Sequence, residues 1–212
     1  MKAKVIFIYL LLFIFVNAWY SQETSKLIYQ DDFSEQTTES REYQRGTWTV
    51  RDKILSSVWS EAATVKNAKG GSKSSHKVYW EAKFDNACIE MQVLAKDISN
   101  ILIGLDGKGH VWYLIFTENS YKSIVFPTDK VKGWVKKTNK YETKDIPSIK
   151  AFKQNEWTDV KLTIKGNTFE LQVGHYVTTV EDVGFGRHKT ALGFNFTKGE
   201  VKIKNLKITE VK

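Results

Sequence analysis

Ile101 to Phe116 reads ILIGLDGKGHVWYLIF, and its two apolar arms decide the fold. Each arm is too short for a helix and rich in branched and aromatic residues, so each is a strand of a buried sheet. Between them, Asp106-Gly107-Lys108-Gly109 is a hairpin turn, since glycine reaches positive φ cheaply. His110, Trp112, Leu114 and Phe116 share a parity, which predicts that His110 and Trp112 point to the same face. His110 is thus either a satisfied strand-edge residue or part of a site.

Downstream, period two is plainer. Val160, Leu162 and Ile164 alternate with polar residues, Gly166-Asn167 turns, and Phe169, Leu171 and Val173 alternate again. Gly174-His175 makes the next turn, and Leu192, Phe194 and Phe196 follow with the same period. Val201 and Ile203 share one parity, Leu206 and Ile208 the other. A flip of phase near Asn205 predicts a β-bulge. Upstream, Lys26 to Phe33, Trp48 to Leu55, His76 to Phe84 and Ala87 to Leu94 read as strands. In the last of these, Cys88, Glu90 and Gln92 share one face. Ala62 to Ser75 and the basic stretch Pro127 to Ile149 read as loops. No amphipathic helix of three turns appears. Strands punctuated this way predict an all-β sandwich of two antiparallel sheets.

The chain has 212 residues, enough for one domain, and two prolines leave no Pro-rich linker. Lys2 and Lys4, the apolar run Val5 to Val16 and the small residue Ala18 read as a secretory signal over residues 1–18. A retained N-terminal anchor is the weaker reading, since the apolar run is short for a membrane span. Residues 19–25 are a short connector, and 26–212 form the sandwich. The formal charge of +8 is spread along the strands and matches no nucleic-acid motif. Cys88 is the single cysteine, so no disulfide forms within the chain, and its apolar run predicts burial. No cofactor motif is present. The histidines lack H-x-H or H-E-x-x-H spacing, so no metal is expected. Asn195-Phe196-Thr197 is a sequon inside a strand and is read as chance.

Several segments together resemble a known family. They are Trp48-Thr49-Val50-Arg51-Asp52, Phe84-Asp85-Asn86-Ala87-Cys88-Ile89-Glu90, Gly107-Lys108-Gly109-His110-Val111, Glu156-Trp157-Thr158-Asp159-Val160 and Val173-Gly174-His175, with His188 to Phe194 and Lys204 to Ile208 at the close. The set is similar to the 3-keto-disaccharide hydrolase domain-like family of bacterial secreted proteins, formerly a domain of unknown function. The resemblance covers about Leu27 to Val211. It implies a concanavalin A-like jelly roll and a carbohydrate partner. Some members of the family cleave 3-keto-glycosides.

The Glu-x-Asp-x-x-Glu strand of laminarinase-type glucanases is missing. Glu90-Met91-Gln92 comes nearest but has no second carboxylate, and a retaining glucanase needs two. Three readings follow: a lectin-like or auxiliary glycan-binding protein, an enzyme cleaving 3-keto-glycosides, or a structural envelope protein. Elimination from a 3-keto-glycoside needs a base for an acidified α-proton, which His110 or Glu90 can supply. Gln92, His76 and His188 are candidate sugar contacts. Trp112, Tyr113, Trp80 and Trp134 are candidate stacking rings, with burial the ordinary fate of strand tryptophans.

Overall fold

The structure, a computed structural model, describes residues 25–61, 64–66, 72–118, 121–126, 137–139 and 149–212. The proposed signal, residues 1–18, and Trp134 lie outside them. No helix among the described residues is long and apolar enough to cross a membrane.

The described strands are β1 (Leu27–Asp31), β2 (Arg41–Arg45), β3 (Thr49–Arg51), β4 (Ile54–Val58), β5 (Thr64–Lys66), β6 (Ser72–Ser74), β7 (His76–Phe84), β8 (Ala87–Lys96) and β9 (Asn100–Gly107). They continue with β10 (Gly109–Thr117), β11 (Tyr121–Val125), β12 (Lys137–Asn139), β13 (Trp157–Lys165), β14 (Thr168–Val173), β15 (Tyr176–Glu181), β16 (Lys189–Thr197) and β17 (Glu200–Glu210). Two antiparallel sheets face each other. The eight-stranded sheet runs β15-β14-β13-β8-β17-β4-β3, with β1 also on β17. The seven-stranded sheet runs β12-β11-β10-β9-β16-β7-β2. This is the all-β sandwich that the alternating sequence predicts. β5 and β6 pair only with each other, a small hairpin where the sequence reads as loop.

The chain passes between the sheets repeatedly, with short crossings at Asp85-Asn86 after β7, Asp97 to Ser99 after β8 and Lys198-Gly199 after β16. Gly199 is required there, since a Cβ would lie 2.0 Å from the Lys96 carbonyl oxygen and its φ is +67°. The bulge anticipated near Asn205 is present. The β17–β8 register shifts between Lys204 and Lys207, with Asn205 at φ 56°.

Between the sheets lie the inward residues of every long strand, including Trp80, Trp112, Phe116, Phe169, Phe194 and Phe196, all fully buried. Each such side chain contributes roughly 1.5–3 kcal/mol by leaving water. One buried polar network crosses this core. Asp31, at the end of β1, accepts from Arg41 Nη1 of β2 at 2.6 Å and from Trp80 Nε1 of β7 at 3.1 Å. Its other oxygen takes the Phe33 amide at 3.0 Å. The network pins the eight-stranded sheet to the seven-stranded one through directional bonds that apolar packing cannot supply.

Candidate functional site

The site follows from register. On the outer face of the seven-stranded sheet, Tyr79 stands opposite Gly193, Gly193 opposite Gly104, and Gly104 opposite Tyr113. Both tyrosine rings fold down over the glycines. A Cβ on Gly193 would lie 2.9 Å from the Tyr79 ring, and one on Gly104 would lie 2.9 Å from the Tyr113 ring. Glycine inside a strand commonly marks such a close approach. The neighbouring row is Glu81, Ala191, Asp106, His110.

The two rows join in a closed polar ring. Asp106 Oδ1 is 2.7 Å from His110 Nδ1, and the Tyr113 hydroxyl is 2.5 Å from the same nitrogen. Tyr79 is hydrogen-bonded to Asp106, and the two tyrosine hydroxyls are bonded to each other. Burial, and then the Asp106 charge, push both phenols well above the ordinary tyrosine range, so both stay protonated. The Arg45 guanidinium opposes that shift from the β2 side. His110 packs its ring against Tyr113 and Phe126 and keeps about two-fifths of its side chain exposed. Its Nε2 has no hydrogen bond to a described residue. Over Tyr79, Asp106 and His110 lies a cleft of about 630 Å³, bordered also by Glu39, Ser40, Glu42, Gln44, Lys77 and Glu81.

His110 reaches the cleft only because β10 is bulged. The β9–β10 register shifts between His110 and Trp112, leaving Val111 as the extra residue. The bulge is held by Arg187, whose Nη2 donates to the carbonyls of Val111 at 2.9 Å and His110 at 3.4 Å, and by the Phe126 amide, which donates to Val111 at 3.1 Å. The shared parity of His110 and Trp112 is therefore broken. Trp112 turns into the core, packs tilted against Phe169 and donates from Nε1 to Ser123 Oγ at 2.7 Å, so it offers no face to a sugar.

Other sequence candidates do not join the ring. Glu90 and Gln92 lie on β8, on the outer face of the eight-stranded sheet, so the sandwich separates Glu90 from His110. Glu90 pairs with Lys161 at 3.7 Å, while Gln92 bonds Asp159 at 2.8 Å and Asn205 at 3.0 Å along a shallower cleft of about 400 Å³. Cys88, on the same face, is half-buried rather than enclosed, because its strand alternates. His76 shares the inward parity of Val78 and Trp80 and is fully buried, with Nδ1 2.5 Å from Ser57 Oγ and Nε2 taking the Ser60 amide at 3.2 Å. It cannot touch a ligand in the cleft. Burial lowers its pKa. Trp80 is likewise core. His188 is exposed and pairs with Asp85 at 2.9 Å. Sequence reading missed Asp106, taken as a turn residue, and Tyr79. Gly104 and Gly193, unpaired with any turn, were the available signal. Among the described residues no group of three His, Cys, Asp or Glu is arranged to hold a metal ion.

No family model and no curated protein matches the sequence. Solved structures do. LamAcat from Zobellia galactanivorans superposes with a TM-score of 0.61 at 11% identity, over 90% of this chain and 100% of that one. The endo-1,3-β-glucanase (laminarinase) catalytic domain from Thermotoga petrophila gives 0.58 at 11% identity, over 90% and 99%. The carbohydrate-binding module CBM66 from Bacillus subtilis gives 0.54 at 13%, over 81% and 96%. Identities this low carry fold and not function. The chain is a jelly-roll β-sandwich with the architecture of these glucanase and carbohydrate-binding domains.

Proposed function

We propose that this protein binds a glycan in the cleft of the seven-stranded sheet, as a lectin-like or auxiliary secreted protein. The observation that carries the reading is the Tyr79 ring in one cleft with Asp106 and His110, with Tyr113 bonded to His110 beside it. Flat rings next to a fixed polar cluster suit a saccharide, whose faces are apolar and whose edge is hydroxylated. Structural neighbours support the same reading, since LamA from Z. galactanivorans has been crystallised with laminaritriose and laminaritetraose. Export through residues 1–18 would bring the cleft to extracellular glycans. A mature protein beginning near Trp19, read by N-terminal mass spectrometry, tests that part. The binding test is a glycan array spanning neutral, amine-bearing and carboxylated saccharides, run with the wild type and with Tyr79→Ala/Tyr113→Ala. Binding lost in the folded variant supports the site, and binding that survives in it overturns the site.

A second reading rests on Asp106. A carboxylate on Nδ1 fixes the proton there and leaves Nε2 as a free base, the arrangement used for general base catalysis. His110 would then serve the 3-keto-glycoside cleavage that the family resemblance implies, oriented by Asp106 and without Glu90. Turnover of a 3-keto-glycoside that vanishes in His110→Ala supports catalysis. Binding without turnover leaves the lectin-like reading alone.

A further inference from the structure

The cleft gathers carboxylates. Asp106, whose Oδ1 lies 2.7 Å from His110 Nδ1, shares the lining with Glu39, Glu42 and Glu81, while Ser40 and Gln44 add neutral polar groups. Carboxylates accept hydrogen bonds and favour a positively charged group on a ligand.

Lys77 is a second, independent observation. Its ammonium sits 4.0 Å above the centroid of the Tyr79 ring, a cation–π contact on the ring that floors the cleft. The stacking face of Tyr79 thus already holds a tethered cation. Around it the border carries Glu39, Glu42 and Glu81 beside Asp106, in a chain whose formal charge is +8.

We propose that the cleft selects glycans with free amines, of the β-1,4-linked glucosamine type, over carboxylated ones, and that such a unit displaces Lys77 from Tyr79. This rests on the cleft being the glycan site. An ammonium brings donors and positive charge to acceptors and carboxylates. A uronate brings one more acceptor and a like charge.

The test titrates wild type and Lys77→Ala, at neutral pH, with a glucosamine tetramer, its N-acetylated form and a glucuronate oligomer. The amine form binds the wild type more tightly than the acetylated form, and the uronate does not bind. Lys77→Ala tightens the amine form about two- to fivefold, the scale of an exposed cation–π contact that no longer competes. Circular dichroism confirms that the variant is folded. Equal affinity for the amine and acetylated forms, or preference for the uronate, overturns the selectivity and leaves the glycan site standing. Weaker binding of the amine form by Lys77→Ala makes Lys77 a ligand contact and overturns its displacement. If no saccharide of any class is retained on the array, site and selectivity fall together.

Discussion

Gly193 of β16 stands directly opposite Tyr79 of β7, and the tyrosine ring occupies the space that any other residue's Cβ would need. Gly193→Ala therefore lifts the ring and opens the link from Tyr79 to Asp106. Overpacking of this kind costs about 1–3 kcal/mol. The expected outcome is a folded variant with a lowered urea midpoint and at least tenfold weaker glycan binding. Gly104→Ala should act alike through Tyr113. Wild-type affinity in both variants would show that these rings do not shape the site.

Arg187 is a positioning residue, not a contact. Arg187→Ala removes charged donors from the Val111 and His110 carbonyls, worth roughly 1.5–3 kcal/mol when such bonds are well formed. Held then by the Phe126 amide alone, the β10 bulge loosens, and the His110 imidazole resonances should shift in NMR spectra. Arg187→Lys, with one compact ammonium in place of a planar fork, should restore only part of that.

The buried pair Asp31–Arg41 makes a sharp stability prediction. Arg41→Ala strands a carboxylate in the core and should cost about 3–5 kcal/mol, read by urea denaturation. Asp31→Asn strands the Arg41 guanidinium in turn, but should cost less, because the Glu35 carbonyl and the Phe33 and Tyr43 rings still face that cation.

Lys189 sets a pH dependence. Its ammonium is fully buried and donates to the Asp85 and Phe185 carbonyls, and burial lowers its pKa from 10.5 to about 8. The unfolded chain therefore binds more protons than the folded one between those values, and stability rises with pH there. From pH 8 to 10 the gain is about 2 kcal/mol. Above that window the buried tyrosines work the other way, since their raised pKa favours the folded, protonated form. Denaturation of wild type and Lys189→Met across pH 8 to 10 checks the slope, which should be absent from the variant.

The histidine in the core adds an acid-side effect. His76 is held neutral by burial, so its lowered pKa gives stability that is full above the ordinary histidine value near 6.5 and is lost as pH falls below it. His76→Gln should flatten the loss between about pH 6.5 and 5, measured as thermal midpoint.

The strands were legible because one buried face forces period two, as along β13 and β14, and a parity flip exposed the bulge at Asn205. Two things were not legible. Alternation says which way a residue points from its own sheet but not which sheet it belongs to. Asp85-Asn86 looks like a hairpin turn yet carries the chain from one sheet to the other. Glu90 therefore went to the far side of the sandwich from His110. The bulge that aims His110 depends on Arg187, a side chain 76 residues from Val111, and no local pattern encodes it. His76 was the opposite case. Its parity with Val78 and Trp80 already pointed inward.

β17 lies inside the eight-stranded sheet, against β8 on one side and against β4 and then β1 on the other. Every strand it joins precedes it in the chain. Until Glu200–Glu210 leaves the ribosome, the β8–β13 half and the β3–β4 and β1 pieces are separated, each with an open edge able to pair with another chain. The sheet seals in one late, long-range step. A nascent chain of this protein should thus stay unsealed until synthesis has passed Glu210.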